Sequence, residues 1–140
     1  MSIKIKILDK KSLKGEIMKV AFATKDLENI NEHFGWAKQF AIYDVNKDGY
    51  KISEIVKTDE AIDDEEGKIK NRIEAIKGSS ILYCEAIGPT AAAKVIHSKI
   101  HPIKVTEPKS IDEAAKELVK MLNGNPPPWI KRIVATEEAK

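Results

Sequence analysis

The stretch that decides the fold is residues 78–96, Gly-Ser-Ser-Ile-Leu-Tyr-Cys-Glu-Ala-Ile-Gly-Pro-Thr-Ala-Ala-Ala-Lys-Val-Ile. Residues 80–84 form an almost continuous apolar run, which is typical of a strand covered on both faces, so we expect a central, parallel strand. Gly88 and Pro89 then open a helix, because proline's missing N–H has no partner in the first turn of a helix. The stretch therefore predicts a strand-helix unit inside an α/β sheet.

The segments on either side of this unit extend the same pattern. Five segments are rich in β-forming residues: 18–24, 39–45, 50–58, 80–84 and 101–105. The second and third are joined at residues 46–49, where Asp48-Gly49 favours the positive φ of a tight hairpin turn. Three segments have helical apolar spacing or capping: 68–77, 88–96 and 110–124. The last begins with the capping box Ser110-Ile-Asp-Glu113.

This order of elements predicts a three-layer α/β fold of ribonuclease-H-like architecture, with a mixed five-stranded sheet flanked by helices. We expect residues 1–17 to be an N-terminal extension that can add an edge strand through Ile3, Ile5 and Ile7. Residues 18–124 are the folded domain. Residues 125–140 are a Pro-rich tail, in which the prolines are expected to end ordered structure. The apolar residues after them, led by Trp129, either cover the domain or dock on a partner.

Composition excludes several classes of function. The 140 residues carry 24 Lys and Arg against 22 Asp and Glu, and a net charge of +2 is too small for a nucleic-acid-binding protein. The single cysteine excludes an internal disulfide framework and a multi-thiolate metal site made by this chain alone. No apolar run suits a signal peptide or a membrane span, so we expect a cytoplasmic protein.

His33 is the first candidate ligand, because it lies in the loop that leaves the carboxyl end of the first strand, where α/β sheets usually bind ligands. One imidazole nitrogen can ligate a metal while the other donates to Glu32 or to a backbone carbonyl. The alternative is a histidine packed against Phe34 and Trp36 to shape the turn.

Cys84 is the second candidate, because it ends the central strand four residues before the Gly88-Pro89 helix start. The positive end of that helix dipole favours a thiolate, which is a nucleophile and a soft metal ligand. The alternative is a small buried residue that completes the core. The amides around Gly88 and Pro89 suit an anion, although they are also ordinary features of a helix start.

The remaining polar groups indicate no further chemistry. His97 and His101 are separated by a helix end, so we expect them to be exposed. The acidic residues between positions 59 and 66 are expected to form a solvated loop. A two-metal nuclease is disfavoured because the first strand, residues 19–24, carries no carboxylate. No activated catalytic pair accompanies the candidate ligands, so we expect a protein that is not an enzyme.

Three quoted segments resemble the nitrogenase iron-molybdenum cofactor biosynthesis family, of the NifX and NafY type that is also fused to the cofactor synthase NifB. They are residues 18–26 (Met-Lys-Val-Ala-Phe-Ala-Thr-Lys-Asp), residues 30–44 with His33-Phe34-Gly35 at their centre, and residues 81–91 with Gly88-Pro89. The resemblance spans residues 18–122.

The resemblance implies a ribonuclease-H-like carrier of an iron-sulfur precursor of the iron-molybdenum cofactor, or of the cofactor itself. It implies cofactor contacts from the two signatures, which supply His33, Phe34, Gly35, Cys84, Gly88 and Pro89, with His33 and Cys84 as metal ligands. The implied partners are the cofactor synthase and the scaffold that receives the cluster, and the implied state is a monomer or weak homodimer. A metal-independent interaction or regulatory module of the same fold is the alternative.

Overall fold

The architecture comes from a computed structural model that describes residues 3–6 and 16–138. Its strands are β1 (Ile3–Lys6), β2 (Met18–Ala23), β3 (Gln39–Asn46), β4 (Gly49–Lys57), β5 (Ile81–Cys84) and β6 (His101–Lys104). Its helices are α1 (Glu65–Ala75), α2 (Pro89–His97), α3 (Ile111–Asn123) and α4 (Pro128–Glu138). A short 3-10 turn, Phe34–Trp36, lies between β2 and β3.

The strands form one mixed sheet in the order β1-β4-β3-β2-β5-β6. β5 lies between β2 and β6 and runs parallel to both, so the predicted central parallel strand is confirmed. β2, β3 and β4 pair antiparallel, and Gly49 takes the positive φ of 153° in the predicted hairpin turn. β1 pairs antiparallel with the edge of β4, while Ile7 of the proposed edge strand lies outside the described residues.

Two apolar clusters cover the two faces of the sheet. One contains Phe34, Phe40, Leu82, Cys84 and the inner residues of α1 and α2. The other contains Phe22, Ile81 and the inner residues of α3 and α4. Side chains of β5 alternate between the two clusters, as a strand covered on both faces requires. The α/β class, with a mixed sheet flanked by helices, is therefore as predicted.

The start of α1 corrects one boundary. The helix begins at Glu65, three residues before the predicted start, and the Asp64 side chain accepts a hydrogen bond from the Gly67 N–H at 2.8 Å. Glu65 and Glu66 therefore occupy the first helical turn instead of a solvated loop. Carboxylates at this position interact favourably with the helix dipole, which is why the acidic run can start a helix.

The C-terminal segment corrects a second prediction. The prolines do not end ordered structure, because Pro128 is the first residue of α4, where its fixed φ suits a helix. Ile130 is fully buried in the cluster with α3, and the Trp129 ring stacks on His101 at a centroid distance of 4.4 Å. The segment is therefore part of this domain's core, so of the two expectations for the apolar residues after the prolines, covering the domain is confirmed and a free docking peptide is wrong.

No helix within the described ranges combines the length and the apolar character needed to cross a membrane.

Candidate functional site

The candidate site lies at the edge of the sheet where β2 and β5 both end. The parallel pairing of Val20 with Ile81 and of Phe22 with Tyr83 brings the two strands to the same edge. Residues 24–37 follow β2, and residues 85–88 follow β5 and lead into α2. Both signature segments therefore meet at the carboxyl edge, which is where open α/β sheets place their ligands.

Asp26 organises the first half of the β2 loop. Its carboxylate accepts hydrogen bonds from the main-chain N–H groups of Glu28 and Asn29, at 2.9 and 2.8 Å, and from the Asn29 side chain at 2.9 Å. These donors, with the Asn29 side chain first, hold the pKa of Asp26 well below its ordinary value. The hydrogen bonds fix a compact turn in which Leu27 takes a positive φ of 66°.

Main-chain hydrogen bonds attach the second half of the loop to the segment after β5. The Phe34 N–H donates to the Ala86 carbonyl at 2.8 Å, and the Glu85 N–H donates to the Glu32 carbonyl at 3.0 Å. His33 and Ala86 form a parallel bridge that continues the β2–β5 pairing past the strand ends. The backbone at His33 is therefore fixed against the backbone that follows Cys84.

The His33 side chain is partly exposed and has two neighbours. Its ring lies parallel to the Trp36 indole, with centroids 4.6 Å apart and an interplanar angle of 2°. Its Nε2 lies 3.6 Å from Glu85 Oε1, and 42% of the side chain is accessible to solvent. The stacking on Trp36 is the contact expected of a histidine that shapes the turn, and the carboxylate next to the ring is Glu85 and not Glu32, whose residue is buried.

The neighbours of His33 in its motif differ in their environment. Phe34 is fully buried and packs against Phe40 with ring centroids 5.8 Å apart, so it anchors the loop in the core. Gly35 faces open space, because a Cβ added there would meet no atom within 4 Å. Within the motif, the imidazole of His33 can reach a ligand and the ring of Phe34 cannot.

Cys84 does not have the environment that its position predicted. The residue is fully buried, and burial raises the pKa of its thiol to about 11, with Lys104 opposing the shift. The thiol therefore stays protonated near neutral pH, and the expectation that a helix dipole favours the thiolate is wrong. Cys84 belongs to the apolar cluster with Phe34, so desolvation outweighs the helix start four residues away.

The start of α2 is as predicted from Gly88 and Pro89. Gly88 is the N-cap, Pro89 occupies the first turn, and both residues are exposed. A Cβ added at Gly88 would meet no atom within 4 Å, so there is open space next to this helix start. No side chain caps α2, whereas Asp64 and Ser110 cap α1 and α3.

A buried cation lies behind the loop. Arg72 of α1 is 6% exposed, and its pKa is lowered by burial while the carboxylates of Glu65 and Glu32 oppose that shift. Its guanidinium donates to the Lys68 carbonyl at 3.2 Å, and its Nε has no hydrogen-bond partner among the described residues. Arg72 therefore carries a buried positive charge on the α1 side of the sheet, and the carboxylates of Glu65 and Glu32 are among those that stabilise this charge.

The described part of the chain contains no group of three or more His, Cys, Asp or Glu side chains that could hold a metal ion. His97 is exposed, as predicted, whereas His101 is half-buried under Trp129, which corrects the expectation of exposure. The arrangement offers one exposed imidazole, nearby carboxylates and helix-start amides, and not a closed metal cage.

Sequence reasoning missed two residues of this edge. Glu85 directly follows β5, and nothing in the sequence around it indicates that its side chain lies next to His33. The proximity comes from the pairing of the two segments in the folded protein. Asp26 had a usable signal, because Asp followed by Asn three and five residues later, as in Asn29 and Asn31, favours a side-chain-capped turn.

The fold and the edge site define an α/β domain with a partly exposed imidazole at the carboxyl edge of its sheet. Residues 16–121 match the family described as Dinitrogenase iron-molybdenum cofactor. The chain is 41% identical to Protein NifX of Sinorhizobium fredii over 84% of this chain and 78% of that protein. It is 40% identical to Protein NifX of Herbaspirillum seropedicae over 85% of this chain and 83% of that protein. The chain therefore belongs to the dinitrogenase iron-molybdenum cofactor family, and its relatives place it in the NifX type.

One solved structure supports the fold alone. The crystal structure of PH0822 superposes with a TM-score of 0.59 at 22% identity, covering 74% of this chain and 91% of that one.

Proposed function

We propose that this protein is a carrier in the biosynthesis of the iron-molybdenum cofactor, and that it binds an iron-sulfur precursor of the cofactor or the cofactor itself. The observation that carries the proposal is the partly exposed His33 imidazole, held at the carboxyl edge by main-chain pairing to Ala86. Membership of a family described by that cofactor supports the choice of cargo. We also propose that the fold is of the ribonuclease-H-like architecture.

A preassembled cluster needs few protein ligands, because it brings its own sulfides. Clusters built on the protein are held by several thiolates, and this chain has one cysteine. An imidazole is a suitable ligand for iron at an exposed cluster corner. His33 therefore supplies the metal contact, and Gly35, Gly88 and Pro89 lie on the two segments that meet at this edge, where a Cβ added at either glycine would meet no atom within 4 Å.

Cys84 and Phe34 contribute to the site by packing in the core below the surface. Both are fully buried in the same apolar cluster, so they support the two segments that meet at the edge. The protonated, buried thiol makes Cys84 a poor second ligand. Weak attachment through one side chain suits a protein that must release its cargo.

The negative charge of the cargo is matched by the positive end of a helix dipole in the protein. Iron-sulfur clusters are commonly anionic, and the positive end of α2 opens at the same edge as His33. This helix start therefore favours an anionic cargo over a neutral one.

The expected partners are the cofactor synthase that delivers the cluster and the scaffold that receives it. The protein acts by binding and release in the cytoplasm, as a monomer or weak homodimer, without catalysing a reaction. Iron reaches it already assembled in the cluster and leaves in the same form, so the cluster is cargo and not a resident cofactor.

The test is anaerobic mixing of the protein with the isolated cluster precursor, followed by gel filtration and iron analysis of the protein peak. Wild-type protein is expected to carry iron through the column, and His33→Ala to lose most of it. His97→Ala is the matched control, since His97 is an exposed histidine at the other end of α2. Elution of all iron separately from the wild type would overturn the proposal and favour a metal-independent interaction module.

A further inference from the structure

The His33 imidazole is constrained in two independent directions. The Trp36 indole covers one ring face at a centroid distance of 4.6 Å, and the planes differ by only 2°. The Glu85 carboxylate lies next to one ring nitrogen, with Oε1 3.6 Å from Nε2, which is an ion-pair distance and longer than a hydrogen bond. A stacked indole restricts the tilt of the ring, and the negative charge of a carboxylate favours a proton on the nearer nitrogen.

These two contacts leave the ligating direction open. A metal binds an imidazole nitrogen in the plane of the ring, so an indole stacked on the ring face does not obstruct it. The two nitrogens of an imidazole point away from each other, and a carboxylate at Nε2 does not block Nδ1. A histidine that binds metal through one nitrogen commonly donates its other N–H to a carboxylate, which fixes the tautomer.

We infer that Trp36 and Glu85 are positioning residues that clamp His33 in the Nε2–H tautomer and present Nδ1 to the iron of the cargo. The inference rests on the proposed function for the identity of the cargo. It adds the ligating atom and gives a role to Trp36 and Glu85, two residues of the quoted segments to which the resemblance assigns none. Trp36 is 70% exposed and Glu85 is exposed, so neither residue is needed for the core.

The exposure of both residues makes substitution informative. Trp36→Phe keeps an aromatic face for stacking, and Trp36→Ala removes it. Glu85→Ala removes the carboxylate and leaves the main-chain N–H of residue 85 available to the Glu32 carbonyl. Lys38→Ala is a matched surface control, because Lys38 is an exposed residue of the same loop region.

The first measurement is the tautomer of His33 in the cluster-free protein, read from long-range nitrogen-proton NMR at about pH 8.5, where imidazole is neutral. Wild-type protein is expected to show Nε2–H. Glu85→Ala is expected to mix the two tautomers, and Trp36→Ala to remove the ring-current shift of the His33 protons, which Trp36→Phe restores. A wild-type His33 in the Nδ1–H tautomer would overturn the inference.

The second measurement is retention of the cluster precursor by the same variants. Glu85→Ala and Trp36→Ala are expected to lower affinity about 10-fold, the lower end of effects seen for residues that orient a metal ligand, with Trp36→Phe close to wild type. Unchanged affinity in both alanine variants would also overturn the inference. If wild-type protein shows Nε2–H but binds no iron, the proposed function fails and the orienting role of Trp36 and Glu85 stands. If it shows Nδ1–H and binds the cluster normally, the orienting role fails and the proposed function stands.

Discussion

The main-chain N–H of Phe34 donates to the carbonyl of Ala86 at 2.8 Å, and this hydrogen bond joins the two segments that resemble the family signatures. Phe34 is buried while its neighbour His33 is partly exposed. The hydrogen bond therefore lies at the boundary between the core and the candidate site. We therefore expect that loosening the loop after β2, residues 24–37, lowers retention of the cluster and changes the stability of the whole domain little.

Asp26 provides the test of that expectation. Asp26→Ala removes the acceptor of the Glu28 and Asn29 N–H groups, so these amides should exchange with solvent faster and retention of the cluster should fall. The midpoint of thermal unfolding should change little, because Asp26 is exposed. Asp48→Ala, in the hairpin at the opposite end of the sheet, is the control and should leave retention unchanged. A large loss of stability with unchanged retention would contradict this account.

Cys84 should behave as a core residue. With a thiol pKa of about 11, native protein at neutral pH should react slowly with iodoacetamide, and protein unfolded in guanidinium should react completely. Cys84→Ala should retain the cluster as well as the wild type does, because the thiol is buried. Rapid stoichiometric alkylation of the native protein would show that the thiol is accessible and would restore Cys84 as a candidate ligand.

Ile130 tests the packing of α4. Ile130→Ala empties a fully buried position, so the free energy of unfolding should fall by about 2–5 kcal/mol in denaturant titration. Ile96→Ala is the matched control, since Ile96 is 60% exposed on α2 and its loss should change the free energy by less than about 0.5 kcal/mol. Equal effects of the two substitutions would mean that α4 does not pack on the sheet.

His101 should make the stability of the domain depend on pH. Burial, together with Arg132, lowers the pKa of His101 below its ordinary value, so the unfolded chain binds a proton more readily than the folded protein does. This contribution to stability is therefore fully present above about pH 6.5 and is lost as the pH falls through the lowered folded value. Thermal unfolding between pH 7.5 and 5 measures it.

His101→Phe is the matched variant, because it keeps an aromatic ring for Trp129 to stack on and removes the titrating group. The variant should lose part of the decrease in unfolding temperature that acid causes in the wild type. Identical pH profiles for the two proteins would contradict the role assigned to His101.

The sequence predicts the sheet well, because its signals are local. The run at Ile81–Cys84, the Asp48-Gly49 turn and the Ser110 capping box each act within a few residues, and each is found in the structure. The prediction that ordered structure ends at the prolines is wrong because a proline can either interrupt a helix or occupy its first turn. The sequence left open whether the apolar residues that follow cover the domain, and the burial of Ile130 against α3 decides this point.

The candidate site could be located from the sequence, but its chemistry could not. The position of His33 after β2 indicates the carboxyl edge of the sheet, and the structure has the residue there. The protonation of Cys84 depends on how much of the core surrounds it, and the proximity of Glu85 to His33 depends on pairing across more than fifty residues of chain. The residues next to Cys84 and Glu85 in the sequence therefore indicate neither the protonation state of the thiol nor the proximity of Glu85 to His33.

The most direct test of the central claim is pulsed electron paramagnetic resonance of the cluster-loaded protein in a paramagnetic redox state. If the His33 imidazole binds the cluster, selective labelling of histidine with nitrogen-15 should reveal a directly coordinated nitrogen. The coupling should be absent in His33→Ala and intact in His97→Ala. A loaded wild-type protein without histidine nitrogen coupling, or a coupling that persists in His33→Ala, would contradict the account.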